Sequence, residues 1–336
     1  MIKKLNITIL FSFFIISCGN PTAEKPSYIQ TVNGAHQVSP NEIWLSHEHI
    51  LVDFIGADSI QSNVPNHDII IKEMLPYLEE LKAYHVNYFV DATPNYLGRD
   101  VLLLEKIAHK TGLQIITNTG FYGARNNKFV PKYAQEMTAK DLAEMWINEY
   151  DNGINNTSIK PGFIKIGVDS YDSLHVMHQK LVRAAAMTHL NTGLTIASHT
   201  GNAKGLWPQL SILKKLGVSL EAFIWVHSQQ ENNNDNYLKA AKMGCWISLD
   251  GLGWDLDKHV EKILFAKRNG ILDRILISHD SGWYDPQKKS QTIQPYTNIF
   301  KKLYPVLKSK GFTEDEFKLL ISVNPSKAFS IKVKTF

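Results

Sequence analysis

From Ile43 onward, short apolar runs alternate with longer amphipathic stretches, and that alternation leaves the chain few architectures. Eight runs can be counted: Ile43 to Ser46, Asn87 to Ala92, Leu113 to Thr119, Gly162 to Val168, Leu194 to Ser198, Ala222 to Val226, Cys245 to Leu249 and Arg274 to Ser278. Helical stretches fall between and after them, at Asp68 to Tyr84, Arg99 to Lys110, Lys140 to Asn152, Asp172 to Asn191, Leu206 to Leu216, Asn234 to Met243, Lys258 to Asn269 and Ile293 to Lys308. Several end at a glycine (Gly112, Gly193, Gly217, Gly244, Gly270), as helix C-termini do. Eight strands with intervening helices predict an α/β fold of the (β/α)8 TIM-barrel type. A doubly wound open sheet is the rival, and no glycine-rich phosphate loop follows the first strand to support it.

The N-terminus reads differently. MIKKLNITILFSFFIISC carries two lysines, an apolar run from Ile7 to Ile16, a small residue and Cys18, the form of a secretory signal peptide too short to span a bilayer comfortably. Ile15-Ile16-Ser17-Cys18 resembles a bacterial lipobox, which makes Cys18 the expected lipidated first residue of the mature chain. Three segments are therefore expected: a leader over 1–18, a tether and N-terminal segment over 19–41, and one barrel domain over 42–336. A lipid anchor would hold the barrel at a membrane outside the cytoplasm, on the periplasmic or outer-membrane face. The one other cysteine is Cys245, so no disulfide is expected within the chain. The net charge of +4 includes Lys3 and Lys4 of the leader, too little for a nucleic-acid partner.

Candidate chemistry gathers at strand ends. His47 and His49 stand one residue apart, and positions i and i+2 of a strand face the same way. With 13 histidines in the chain, that pair alone is weak evidence. His199 follows the fifth run, His227 the sixth and Asp280 the eighth, while Lys165 lies inside the fourth. In a barrel these positions meet at the C-terminal mouth, and imidazole with carboxylate suits two divalent ions of the zinc, manganese or cobalt type. A lysine among them can lose its charge, react with carbon dioxide and become a carbamate able to bridge two metals.

In this order the residues resemble the phosphotriesterase family of the amidohydrolase superfamily, including its lactonases. LSHEHILVD, TGFYGARN, PGFIKIGV, SHTGNAKG, VHSQQENNNDNYLKAAKMGCWISLDG, RILISHD and ISVNPSKAF carry the likeness from about Glu42 to Phe329. The resemblance implies that His47, His49 and Asp280 hold one metal, that His199 and His227 hold the other, and that carbamylated Lys165 bridges them. It also implies hydrolysis by a hydroxide held between the metals, with Asp280 orienting it and taking its proton. Tyr122 matches a tyrosine that contacts substrate in the lactonase branch. Family members often form dimers.

Two departures shape the expected substrate. Where efficient phosphotriesterases carry proton-relay residues, this chain has Gly251 and Gln230, and the arginine of the lactonases is also replaced by Gly251. A lactone or carboxylic ester is therefore preferred over a phosphotriester as small-molecule substrate. The alternative is a surface lipoprotein that keeps the barrel and metals and binds a ligand or partner without catalysis. Asp250 is read as capping the seventh loop or bracing the metal ligands, and His279 as packing or hydrogen bonding on the opposite face from Asp280. Arg125 and Lys128 are read as a solvated loop face rather than an anion contact.

Overall fold

The computed structural model describes residues 28–60, 65–171 and 173–336, so the leader, Cys18 and the polar stretch through Ser27 lie outside the described residues. The first element is a hairpin, β1 (Tyr28–Thr31) and β2 (Gly34–Gln37), in the segment read as tether and N-terminal extension. Its reason is Ile29, which is 1% exposed and packs with the barrel-floor residues.

The barrel strands follow as β3 (Ile43–Glu48), β4 (Val86–Asp91), β5 (Gln114–Ile116), β6 (Asn118–Thr119), β7 (Phe163–Gly167), β8 (Thr195–His199), β9 (Phe223–Val226), β10 (Trp246–Leu249) and β11 (Ile275–Ile277). β5 and β6 are the single third run, interrupted at Thr117, so nine strands make eight staves. All pairings are parallel, in one ladder of β3, β4 and β5 and a second from β6 to β11. Between the first and last staves, hydrogen bonds from Ser46 Oγ to Ile277 O (3.0 Å), His47 N to Ser278 Oγ (2.9 Å) and Asp280 N to His47 O (3.2 Å) close the seam.

Helices α1 (His67–Glu79), α2 (Val101–Thr111), α3 (Lys132–Glu136), α4 (Ala139–Asn152), α5 (Val176–Thr192), α6 (Ala203–Lys215), α7 (Asp235–Lys242) and α8 (Leu256–Arg268) connect them. The last predicted helix starts late: Ile299–Leu303 is a π-helical turn leading into α9 (Tyr304–Ser309). Three helices were not anticipated: α3, in the stretch read as the loop after the third run, and α10 (Glu314–Lys318) and α11 (Asn324–Phe329) near the C-terminus. α11 carries Ala328 and Phe329 to the barrel floor.

Side chains alternate along the staves into two layers. Leu45, Phe89, Ile164, Ile166, Ile196, Ile247 and Ile277 pack outward in the large core that also takes in the helices. Trp44, Tyr88, Val90, Phe163, Ile224, Trp246 and Leu276 form a second, inner cluster with Phe329. Trp44 stacks on Tyr88 with ring centroids 4.0 Å apart, so the lower barrel is filled with aromatic rings. Polar side chains on the same inward face are consequently left to the upper end.

One buried ion pair fastens helices to staves. Arg99, just before α2, forms a fork with Glu149 of α4 (2.9 and 2.7 Å), and it also donates to Asn118 O of β6 (2.7 Å). Burial alone would push the Glu149 carboxyl up, but the Arg99 charge and the Arg99 and Thr119 hydrogen bonds hold it below its ordinary value. Glu149→Gln leaves the arginine uncompensated and is expected to cost about 3–5 kcal/mol near neutral pH. A carboxyl lowered by folding stabilises above its unfolded pKa and loses that contribution as pH falls through the folded value. The gap between wild type and variant in urea unfolding should therefore narrow towards pH 4.

Candidate metal centre

The first two histidines reach the barrel interior through a bulge. Trp44 faces inward, and strict alternation from it would carry His47 out. Leu45 pairs with Phe89 but Glu48 pairs with Asp91, so β3 takes three steps to the two of β4. The extra residue turns His47 and His49 in and sends Glu48 into the seam. Lys165 needs no such device, since Phe163 two residues before it already faces the floor cluster. His199 ends β8, paired with Gly167. His227 and Asp280 follow β9 and β11 with φ of 60° and 54°, left-handed turns that bend each chain over the mouth.

These six side chains line one cavity of about 80 Å³, together with Val52, Phe54, Leu97, Tyr122, Arg125 and Trp283 among others. Donor atoms of His47, His49 and Asp280 lie within 4.8 Å of one another. His49 Nε2 is 3.0 Å and His47 Nε2 3.7 Å from the same Asp280 oxygen. The rings of His47 and His227 are 5.2 Å apart and those of His199 and His227 4.4 Å, so the imidazoles form one continuous arc. A wider cleft of about 380 Å³ beside Tyr96 and Arg99 contains none of the six.

Each ring has a second nitrogen that is already engaged. His49 Nδ1 meets Thr93 Oγ1 (2.7 Å), and Thr93 N in turn donates to Asp91. His227 Nδ1 meets Asp250 Oδ1 (2.7 Å), and the other oxygen of Asp250 lies 3.4 Å from His47 Nδ1. Asp250 thus braces two rings at once, and the bracing alternative of the sequence reading holds. Such outer partners fix the tautomer that leaves Nε2 for a metal. Burial, then the nearby Lys165 charge for His47 and the His227 charge for His199, lower both imidazoles well below their usual values. Burial would lower His227 too, but the Asp250 charge and hydrogen bond raise it. Neutral imidazole is the metal-binding form, which His47 and His199 already hold, and four imidazoles with the Asp280 carboxylate are a donor set of the divalent-metal type.

Lys165 is 2% exposed and, among the described residues, makes no ion pair. Burial lowers its ammonium to about 8, against the opposing pull of Asp250 and Asp280. Tyr122 places its hydroxyl 3.1 Å from His199 Nδ1, and Gly167 permits this: a Cβ there would stand 2.8 Å from the Tyr122 ring. Burial raises the phenol, which stays an O–H donor at neutral pH.

Gly251 and Gln230 do not line the cavity. A Cβ at Gly251 would meet Gln229 Nε2 at 2.4 Å, and that amide supports Asp250. The acid that follows Gln230, Glu231, accepts from the N–H groups of Ala203 and Asn233 and does not line the cavity either. Of the pair read as a solvated face, Lys128 is exposed and bonds Phe54 O, whereas Arg125, also exposed, stands on the cavity rim. The aromatic content of the loops pointed to Trp283 as a pocket wall, which it is, but sequence reasoning passed over its partner Phe54, the ring centroids 5.6 Å apart.

The largest omission is Glu48. Wholly buried, it accepts from Ser278 Oγ (2.7 Å), His279 N (3.0 Å), His279 Nδ1 (2.6 Å) and Ser281 N (3.0 Å). His279 has the hydrogen-bonding role expected of it, with Nε2 accepting from Ile299 N. The carboxylate therefore holds the residues on both sides of Asp280.

Residues 27–329 match the model of the phosphotriesterase family. The chain belongs to the phosphotriesterase family. Its α/β fold and His/Asp cluster are those of a metal-dependent hydrolase of this family, whose members are binuclear TIM barrels. It is similar to the aryldialkylphosphatase of Saccharolobus solfataricus, 30% identical over 300 residues covering 85% of this chain and 94% of the relative. It is 25% identical to the phosphotriesterase homology protein of Escherichia coli over 86% of this chain and 98% of that protein. The human N-acetyltaurine hydrolase is also 25% identical, over 78% of this chain and 77% of its own length.

Glu48→Gln sets an amide nitrogen against one of the seam donors and should destabilise by about 1–3 kcal/mol in urea unfolding. Because the same bonds flank Asp280, metal uptake by the folded variant is expected to weaken as well, measured by titration of chelated protein.

Proposed function

We propose that the chain is a binuclear hydrolase of small carboxylic esters or lactones, with phosphotriesters as poorer substrates. The observation that carries this reading is the inward Lys165, without an ion pair among the described residues, beside four imidazoles and Asp280 at the barrel mouth. A buried cation with no partner is unfavourable, and its neutral amine can add to carbon dioxide, releasing a proton to give an anionic carbamate. His47, His49 and Asp280 would hold one metal, His199 and His227 the other, and the carbamate of Lys165 both; zinc suits this donor set, as do manganese and cobalt. Divalent ions supply Lewis-acid polarisation of the scissile bond and make water acidic enough to act near neutral pH.

The chain's own groups account for the remaining steps. Asp280, held beside His49, is placed to accept the proton of the attacking water. The Tyr122 hydroxyl can donate to an oxygen of the substrate, and Val52, Leu97, Phe54 and Trp283 give an apolar wall for its carbon chain. With Gly251 and Gln230 away from the cavity, no titratable relay leads out from it at those two positions, which favours a lactone or carboxylic ester over a phosphotriester. The names of the relatives, aryldialkylphosphatase and N-acetyltaurine hydrolase, support hydrolysis as the reaction class. The leader motif supports an exported protein anchored through lipid on Cys18; Cys18→Ser should move it from the membrane to the soluble fraction.

Purified protein grown with zinc or manganese is expected to contain about two metals per chain. It should hydrolyse aryl esters or lactones in a manner that a chelator abolishes and added metal restores. Asp280→Asn should lower kcat by about 10²–10⁴-fold with the fold unchanged by circular dichroism. Lys165→Met should lose bound metal together with turnover. Two bound metals with no turnover across lactones, aryl esters and phosphotriesters would give way to the binding-only reading.

A further inference from the structure

The loop after β6 is built in a costly way. Arg125, Asn126 and Asn127 have φ of 59°, 56° and 61°, three successive residues with side chains in the left-handed region. Its supports are specific. The two oxygens of Asp169 accept from Arg125 N (2.8 Å) and Asn126 N (3.1 Å), and His178 of α5 bonds Gly123 O through Nε2 (2.9 Å). Such a conformation persists only where its surroundings fix it, and functional loops are where it collects.

What the turn presents is a guanidinium. Arg125 lies over the Phe54 ring, 5.0 Å from its centroid, on the rim of the cavity that holds the donor set. Phe54 is neutral, and among the described residues no carboxylate pairs with the Arg125 side chain, whereas Arg99 and Arg274 both have acid partners. Among the described residues, Arg125 and Lys165 are the lysine and arginine side chains that line the cavity, and of the two only Arg125 stands at its rim. On the same wall the buried Nε1–H of Trp283 has no hydrogen-bond partner among the described residues. A planar fork held on an aromatic face, with an unused N–H nearby, matches an oxyanion such as a carboxylate.

We infer that Arg125 is a specificity residue: the hydrolase takes esters or lactones whose carbon chain carries an anionic group, which Arg125 binds at the rim while the ester lies at the donor set. This rests on the ester reading above and names the substrate class within it. The probes are 4-nitrophenyl hydrogen glutarate and 4-nitrophenyl pentanoate, alike in reach and different in charge. In wild type the ratio of kcat/KM, charged over neutral, should exceed that in Arg125→Gln by about tenfold, chiefly through KM. Arg125→Lys should recover part of it, and added salt should erode it in wild type. A ratio unchanged in Arg125→Gln would overturn the inference. Should neither ester be turned over, the ester reading fails on its own account. Calorimetric titration with monomethyl against dimethyl glutarate, in wild type and Arg125→Gln, then decides the anion site by the same ratio of affinities.

Discussion

A buried carboxylate at the barrel seam is the constraint on which the upper half of the molecule depends. Parallel staves are normally joined by backbone ladders, yet β3 and β11 meet without one among the described residues, and Glu48 adds four hydrogen bonds to the few that cross there. Those bonds reach Ser278, His279 and Ser281, the residues around Asp280. Because Glu48 stands between His47 and His49, the group that closes the barrel also sets where three donors of the site converge. Closure and chemistry here share one short segment, WLSHEHI.

The floor accounts for where the chemistry sits. Trp44, Tyr88 and Phe163 occupy the inward positions of the lower staves and Phe329 of α11 closes them from below, so a polar group there would lose water and gain nothing. Moving up the same faces, Phe163 gives way to Lys165 and Gly167, and Ala197 to His199. The sequence thus grades from aromatic to ionisable along single strands, and the metal-type donors collect at the one end where loops can cover them.

Much of this was legible beforehand, because the eight apolar runs and the order of the donors depend on local pattern alone. Periodicity located Lys165 correctly, since strand alternation from Phe163 is undisturbed. It could not show why His47 faces in, because the one-residue slip between Leu45 and Glu48 exists only against β4. Nor could it find Glu48, whose partners are about 230 residues away in sequence. The break at Thr117 and the late start of the helix before α9 were not visible in the sequence pattern either. Arg125 is exposed, as its charge and loop position suggested, but its place over the Phe54 ring could not be read from the sequence, because the two residues lie in different loops.

Asp250 is also a mechanical link. One carboxylate, fixed by Ser248, steadies imidazoles from opposite parts of the barrel, His47 after the bulge of β3 and His227 beyond β9. The two rings therefore behave as arms on one pivot. A change that tilts either is transmitted to the other, so evolution can retune the grip of this site only as a pair.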